Sequence, residues 1–142
     1  MTRLVLTPFV LATLAMLAGA PAVRAAEGLS LDLNKLEPQG GSCRVTLVVV
    51  NGRPAAVEAL KADLVIFGSD GVVARRLAVD LGRIAAEKTV VRVFEIPALG
   101  CEAVGSVLLN ELPTCRFAGD APAPADCLSA TTLTARAGRL FK

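Results

Sequence analysis

Four cysteines, Cys43, Cys101, Cys115 and Cys127, are the residues of this chain whose type and spacing are best suited to chemistry. Cysteine thiols form disulfides, bind metals or exchange with other thiols. The chain has no histidine and no C-x-x-C pair, so a zinc site would need all four sulfurs to converge from distant positions. We therefore expect two structural disulfides, with thiol exchange and metal binding as the alternatives.

Four cysteines allow three pairings. We favour Cys43 with Cys101 and Cys115 with Cys127, because the second pair brackets a proline-rich loop over residues 119–126. The first pair also resembles the bridge between the two sheets of an immunoglobulin domain, although the chain has no tryptophan to pack on it.

The lack of histidine also limits the kinds of enzyme that the chain can be. Histidine is the commonest general base near neutral pH, so histidine-dependent triads are excluded. Carboxylate pairs, serine–lysine arrangements and a free thiol remain. Glu95 and Glu102 flank Cys101, and Asp63 shares a strand face with Lys61. Such charges on strands are usually solvated, so we expect no catalytic residue, no metal and no cofactor.

The amino-terminal residues resemble a secretory signal peptide. An apolar stretch over residues 4–20 follows Arg3, and Val23-Arg24-Ala25 places small residues where a signal peptidase requires them. We expect a helical signal peptide over residues 1–25, cleavage after Ala25, and one domain over residues 26–142 in the periplasm or outside the cell. An uncleaved anchor is the alternative, because about 20 apolar residues can span a bilayer.

The charge of the chain argues against two classes of partner. Fifteen lysines and arginines stand against thirteen acids, and the leader holds Arg3 and Arg24 but no acid, so the mature chain is formally neutral. Nucleic acid and anionic lipid both select clustered basic surfaces. We expect neither as a partner and no stable membrane anchor after cleavage.

The mature chain has the pattern of an all-β protein. Residues 29–34 alternate between leucine and polar side chains, and residues 43–50 form a β-branched run. Residues 60–67 and 72–81 form a predicted hairpin around an Asp70-Gly71 turn. Further strands are predicted over residues 89–96, 104–109 and 128–135, with no convincing helix. About seven short strands favour an immunoglobulin-like β-sandwich.

An apolar surface patch is a second prediction from the strand pattern. On the predicted strands Val65 and Phe67 face away from the core, and the neighbouring strand adds Val48 and Val50. Exposed apolar patches of this kind often contact another protein. The alternative is that the rest of the sandwich, or the carboxy-terminal residues 140–141, covers these side chains.

Four segments resemble the uncharacterised exported proteins of proteobacteria labelled "Tat pathway signal sequence domain protein". They are residues 31–37 (LDLNKLE), the Cys43 strand, residues 70–79 (DGVVARRLAV) and residues 108–110 (LLN). Arg3 has no adjacent arginine, which favours the general secretory route. A looser resemblance, through Asn51, Ile66-Phe67 and Asp70-Gly71, is to FxLYD-type immunoglobulin-like modules. Both resemblances imply an extracytoplasmic fold and bring no catalytic residues.

These observations favour an exported, non-catalytic binding or accessory module whose partner is another periplasmic or envelope protein. One alternative is an enzyme that uses carboxylate or thiol chemistry. The other is a structural component of an envelope assembly. The sequence leaves the partner and the oligomeric state open.

Overall fold

The first two strands, β1 (Leu29–Gln39) and β2 (Ser42–Asn51), form a hairpin around Gly40 and Gly41. Both glycines have positive φ, 52° and 84°, which a two-residue hairpin turn requires and which side chains disfavour. The computed structural model describes residues 28–119 and 126–142. The predicted signal peptide and most of the proline-rich loop therefore lie outside the described residues.

Six further strands and two short helical turns complete the described chain. They are β3 (Val57–Gly68), β4 (Val73–Asp80), β5 (Lys88–Ile96), a 3₁₀ turn (Cys101–Ala103), β6 (Val104–Phe117), α1 (Cys127–Ala130), β7 (Thr132–Ala135) and β8 (Leu140–Phe141).

The strands form two four-stranded sheets. Sheet A has the order β5-β2-β1-β7, and sheet B has the order β4-β3-β6-β8. The chain crosses from sheet A to sheet B between β2 and β3, and back between β4 and β5, which is the Greek-key connectivity of immunoglobulin-like sandwiches. The predicted all-β sandwich is confirmed, with eight strands in place of about seven.

The core lies between the two sheets and contains the alternate residues of each central strand. In β1 the predicted alternation is confirmed, because Leu29, Leu31 and Leu33 are buried and the intervening residues are not. The other strands contribute buried aliphatic side chains in the same way, among them Val45, Leu47, Val49, Leu60, Leu64, Ile66 and Leu109. This apolar layer fixes which side chains of each sheet face solvent.

Two predictions about the carboxy-terminal half are wrong. The strand predicted over residues 104–109 continues to Phe117, because the register between β3 and β6 shifts around Pro113 and no ladder hydrogen bond is needed there. The strand predicted to begin at Leu128 begins at Thr132 instead. A helical turn precedes it because the Asp126 carboxylate accepts hydrogen bonds from the backbone N–H groups of Leu128 and Ser129.

The carboxy-terminal segment closes one long side of the sandwich. Strand β7 pairs in parallel with β1 in sheet A, and β8 pairs in parallel with β6 in sheet B. At the chain end, the Lys142 ammonium donates hydrogen bonds to the carbonyls of Leu128, Ser129 and Thr131, at 3.0, 2.8 and 2.6 Å. On the opposite long side, no strand within residues 28–119 and 126–142 pairs with the outer edges of β4 and β5.

The helical turns of the described residues are short. None of the helices in this part of the chain is long and apolar enough to cross a membrane.

Candidate interaction surface

The four cysteines form the two predicted disulfides. Cys43 in β2 pairs with Cys101 across the sandwich, with the Cα atoms 4.7 Å apart, and Cys43 is fully buried. Cys115 in β6 pairs with Cys127 in α1, with the Cα atoms 6.5 Å apart. Every thiol of the chain is thus in a disulfide, and two disulfides in a small domain are typical of an oxidising, extracytoplasmic compartment.

The structure separates the residues of the predicted apolar patch. Val48 and Val50 lie on the outer face of sheet A, whereas Val65 and Phe67 lie on the outer face of sheet B. The prediction of a single patch is wrong, because β2 and β3 follow each other in the sequence but belong to different sheets. All four side chains are half-buried.

The carboxy-terminal segment covers part of the outer face of sheet B. The ring of Phe141 lies 6.1 Å from that of Phe67, and Leu108 pairs with Val65 on one side and with Phe141 on the other. The Arg139 guanidinium lies over the Phe141 ring, 4.9 Å from its centre. The alternative expectation, that residues 140–141 cover the predicted patch, therefore holds for Phe67.

The outer face of sheet A keeps exposed apolar side chains. On β5, Val91 and Val93 are 56% and 58% exposed. Val91 lies directly opposite Val48, and Thr89 lies opposite Val50. These residues form an apolar surface that reaches the edge of the sheet, and we call Val48, Val50, Val91 and Val93 the valine surface.

Asp63 is the main buried acid of the described residues, although the sequence predicts a solvated side chain. Its side chain points away from the core, and Arg76 donates to both of its carboxylate oxygens, at 2.9 and 2.7 Å. Asn110 donates a third hydrogen bond at 2.7 Å. The hydrogen bonds from Arg76, and then that from Asn110, lower the pKa of the Asp63 carboxyl. A carboxylate held in this way stabilises the sheet and is a poor general base.

Two arginines join the edge strands of the two sheets on the open side. From β4 in sheet B, Arg75 donates to the carbonyls of Pro97 and Ala98, at 3.2 and 2.8 Å, just after β5 ends. From β5 in sheet A, Arg92 donates to the carbonyl of Leu81 at 2.7 Å, just after β4 ends. Arginine–carbonyl bonds therefore cross this side in both directions, and no described strand pairs with the outer edges of β4 and β5.

A groove lies between these edge strands. It has a volume of about 250 Å³ and is open to solvent. Apolar side chains of β4 and β5 line it together with the stem of Arg92, and the residues are Leu77, Ala78, Val79, Asp80, Arg92, Val93, Phe94 and Glu95. The groove and the valine surface meet along β5, since successive residues of that strand point to opposite faces of sheet A.

No pattern in the sequence marks β5 as part of a candidate site. Valines 91 and 93 alternate with Arg92 and Phe94, and such a strand has apolar residues on both faces. Periodicity therefore cannot assign the inward face. The lack of a strand beyond β5 in the described residues is a property of the tertiary fold, and no local motif signals it.

Together, the two sheets, the disulfide between them and the unpaired edges define a disulfide-bonded Greek-key β-sandwich. The solved structure of IrmA from Escherichia coli is similar, with a TM-score of 0.55 and 14% sequence identity over 75% of this chain and 90% of that chain. At this identity the similarity shows the fold alone. No protein-family model and no curated protein matches the sequence.

Proposed function

We propose that this chain is an exported, non-catalytic binding module that contacts another envelope protein through the valine surface and the open edge of β5. The observation that carries the proposal is the asymmetry of the sandwich. The carboxy-terminal segment pairs with both strands on one long side, whereas β4 and β5 keep unpaired outer edges within the described residues. Unpaired edges beside exposed apolar residues are a common site of protein association.

The state of the reactive groups supports a non-catalytic role. All four cysteines are paired, so thiol chemistry has no free thiol to begin from. Asp63, the most buried acid of the described residues, accepts hydrogen bonds from Arg76 and Asn110. The export part of the proposal rests on the leader pattern together with the two disulfides.

Capture from an envelope extract of the source cells tests this proposal. The mature protein is immobilised and crosslinked, and the captured proteins are compared with those of the double variant Val91→Glu/Val93→Glu. The matched control is Val72→Glu/Val73→Glu, which changes two similarly exposed valines, 63% and 55%, where β4 begins. We expect a protein that the native chain and the control capture and that the β5 variant loses.

Equal capture by all three proteins would contradict the proposed surface, and specific capture by none of them would contradict the binding role. Circular dichroism of each variant verifies that the sandwich is intact. The substituted side chains are exposed, so we expect unchanged spectra.

A further inference from the structure

Arg92 is the cation that lines the groove between β4 and β5. Its guanidinium donates only to backbone carbonyls, and no carboxylate of the described residues lies within 4.0 Å of it. The two acids that line the groove already have cations on the outer faces of the sheets. Glu95 lies 3.7 Å from Arg44, and Asp80 lies 4.0 Å from Lys61.

The outer backbone edge of β5, beside the groove, favours a ligand in the extended conformation. Strand β5 has nine residues, and its outer edge has no partner strand in the described part of the chain. Unpaired N–H and C=O groups along such an edge are satisfied when an extended peptide adds to the sheet. Side chains of an added strand would alternate between the valine surface and the groove, where they would meet Arg92 and Phe94.

We propose that the open edge of β5 binds an extended acidic segment of the partner protein, which adds to sheet A as a fifth strand. Its outward apolar side chains contact Val91 and Val93, and its inward carboxylates pair with the guanidinium of Arg92. A guanidinium has five N–H donors, and Arg92 uses two of them on the carbonyls of Leu81 and Arg83, so others remain for a carboxylate. This inference rests on the proposed binding function and names the chemistry of its ligand.

Peptide binding measured by fluorescence anisotropy tests the inference. The probe is a fluorescein-labelled nine-residue peptide in which valine and glutamate alternate, and the charge control replaces every glutamate with lysine. A third peptide is the glutamate probe N-methylated at alternate residues, which removes backbone donors. We expect the glutamate peptide to bind the mature protein at least about tenfold more tightly than the lysine peptide, and N-methylation to abolish binding.

Variants of Arg92 test whether this residue of the groove causes the preference for the glutamate peptide. Arg92→Gln is expected to remove most of the preference for glutamate over lysine, and Arg92→Lys, which retains the positive charge, is expected to keep it. Thermal unfolding verifies that both variants are folded, and a preference in Arg92→Gln as strong as that of the native chain would contradict the assignment.

Equal binding of the glutamate and lysine peptides, or no binding of either, would overturn the acidic-strand inference. The capture experiment with Val91→Glu/Val93→Glu remains a separate test. A partner lost in that variant would leave the binding function standing even when the peptides fail, and the absence of any captured partner would contradict the function itself.

Discussion

The Nε atom of Arg92 donates a hydrogen bond of 2.7 Å to the carbonyl of Leu81. Arg92 belongs to the edge strand of sheet A, and Leu81 directly follows the edge strand of sheet B. The same guanidinium donates from Nη2 to the carbonyl of Arg83 at 3.0 Å. One side chain therefore joins the sheets on the side where, in the described part of the chain, the edge strands have no outer partner.

This relationship predicts that Arg92 contributes to the stability of the sandwich. Arg92→Ala removes two charge-assisted hydrogen bonds that cross the open side, so we expect the free energy of unfolding to fall by about 1–2 kcal/mol. Urea denaturation at neutral pH measures the change. The control is Arg83→Ala, whose exposed pair with Glu58 is expected to contribute less than about 0.5 kcal/mol. Equal losses for the two variants would be inconsistent with this role of Arg92.

The two disulfides are predicted to stabilise the domain unequally. They close loops with sequence separations of 58 and 12 residues. In the chain-entropy model, the longer loop accounts for about 4 kcal/mol and the shorter for about 3 kcal/mol. We expect Cys43→Ser/Cys101→Ser to lose more stability than Cys115→Ser/Cys127→Ser in urea denaturation.

Thiol titration of the native, exported protein provides an independent check on the disulfides. Ellman's reagent should detect no free thiol in the unfolded, unreduced chain. Titratable thiol there, or a greater loss for the Cys115 and Cys127 variant, would contradict the assignment.

Because of the Asp63 carboxylate, we expect the free energy of unfolding to depend on pH. Hydrogen bonds from Arg76 and Asn110 lower its pKa in the folded state below that of the unfolded chain. The ionised form therefore stabilises the fold above about pH 4, and this contribution is lost as the pH falls through the folded-state pKa.

Asp63→Asn provides the measurement of that contribution. At pH 7 we expect the variant to be less stable than the native chain by about 1 kcal/mol, since Arg76 is exposed to solvent. Unfolding curves at lower pH should show the difference shrinking below about pH 4. A difference that stays constant from pH 7 to the acid limit would refute the assignment.

Asn51 is predicted to be the most sensitive polar residue. It is fully buried, its Nδ2 donates to the carbonyls of Ala55 and Ala85 at 2.9 and 3.1 Å, and its Oδ1 accepts from the Arg53 N–H at 3.1 Å. Asn51→Ala leaves these backbone groups unsatisfied, so we expect a loss of about 2–3 kcal/mol in the free energy of unfolding. Asn34→Ala is the control, and a loss there as large as at Asn51 would contradict the prediction.

Local patterns in the sequence predicted much of the fold. Alternating leucines identified β1, the Asp70-Gly71 turn identified the hairpin of β3 and β4, and the Asp70 carboxylate indeed accepts a hydrogen bond from the Val72 N–H at 3.0 Å. The pairing of the cysteines was also predicted correctly. Each of these features depends on residues close in sequence or on a simple spacing rule.

The candidate surface could not be predicted in the same way. Val48 and Val65 were assigned to one patch because their strands are consecutive, but the crossover between β2 and β3 places them in different sheets. The exposed edge of β5 arises because the carboxy-terminal segment pairs with β1 and β6 and with neither β4 nor β5. The local pattern of each strand is compatible with several partner strands, so it does not determine which strands pair over long distances in the sequence.

The most direct test of the central claim, that the β5 edge is the binding side of the sandwich, is site-specific photo-crosslinking in the source cells. A photoreactive amino acid is placed at Val93 on β5, or at Thr132 on β7 at the opposite edge of sheet A. We predict a crosslinked partner protein from position 93 and none from position 132. Crosslinking from position 132 alone, or from neither position, would contradict the claim.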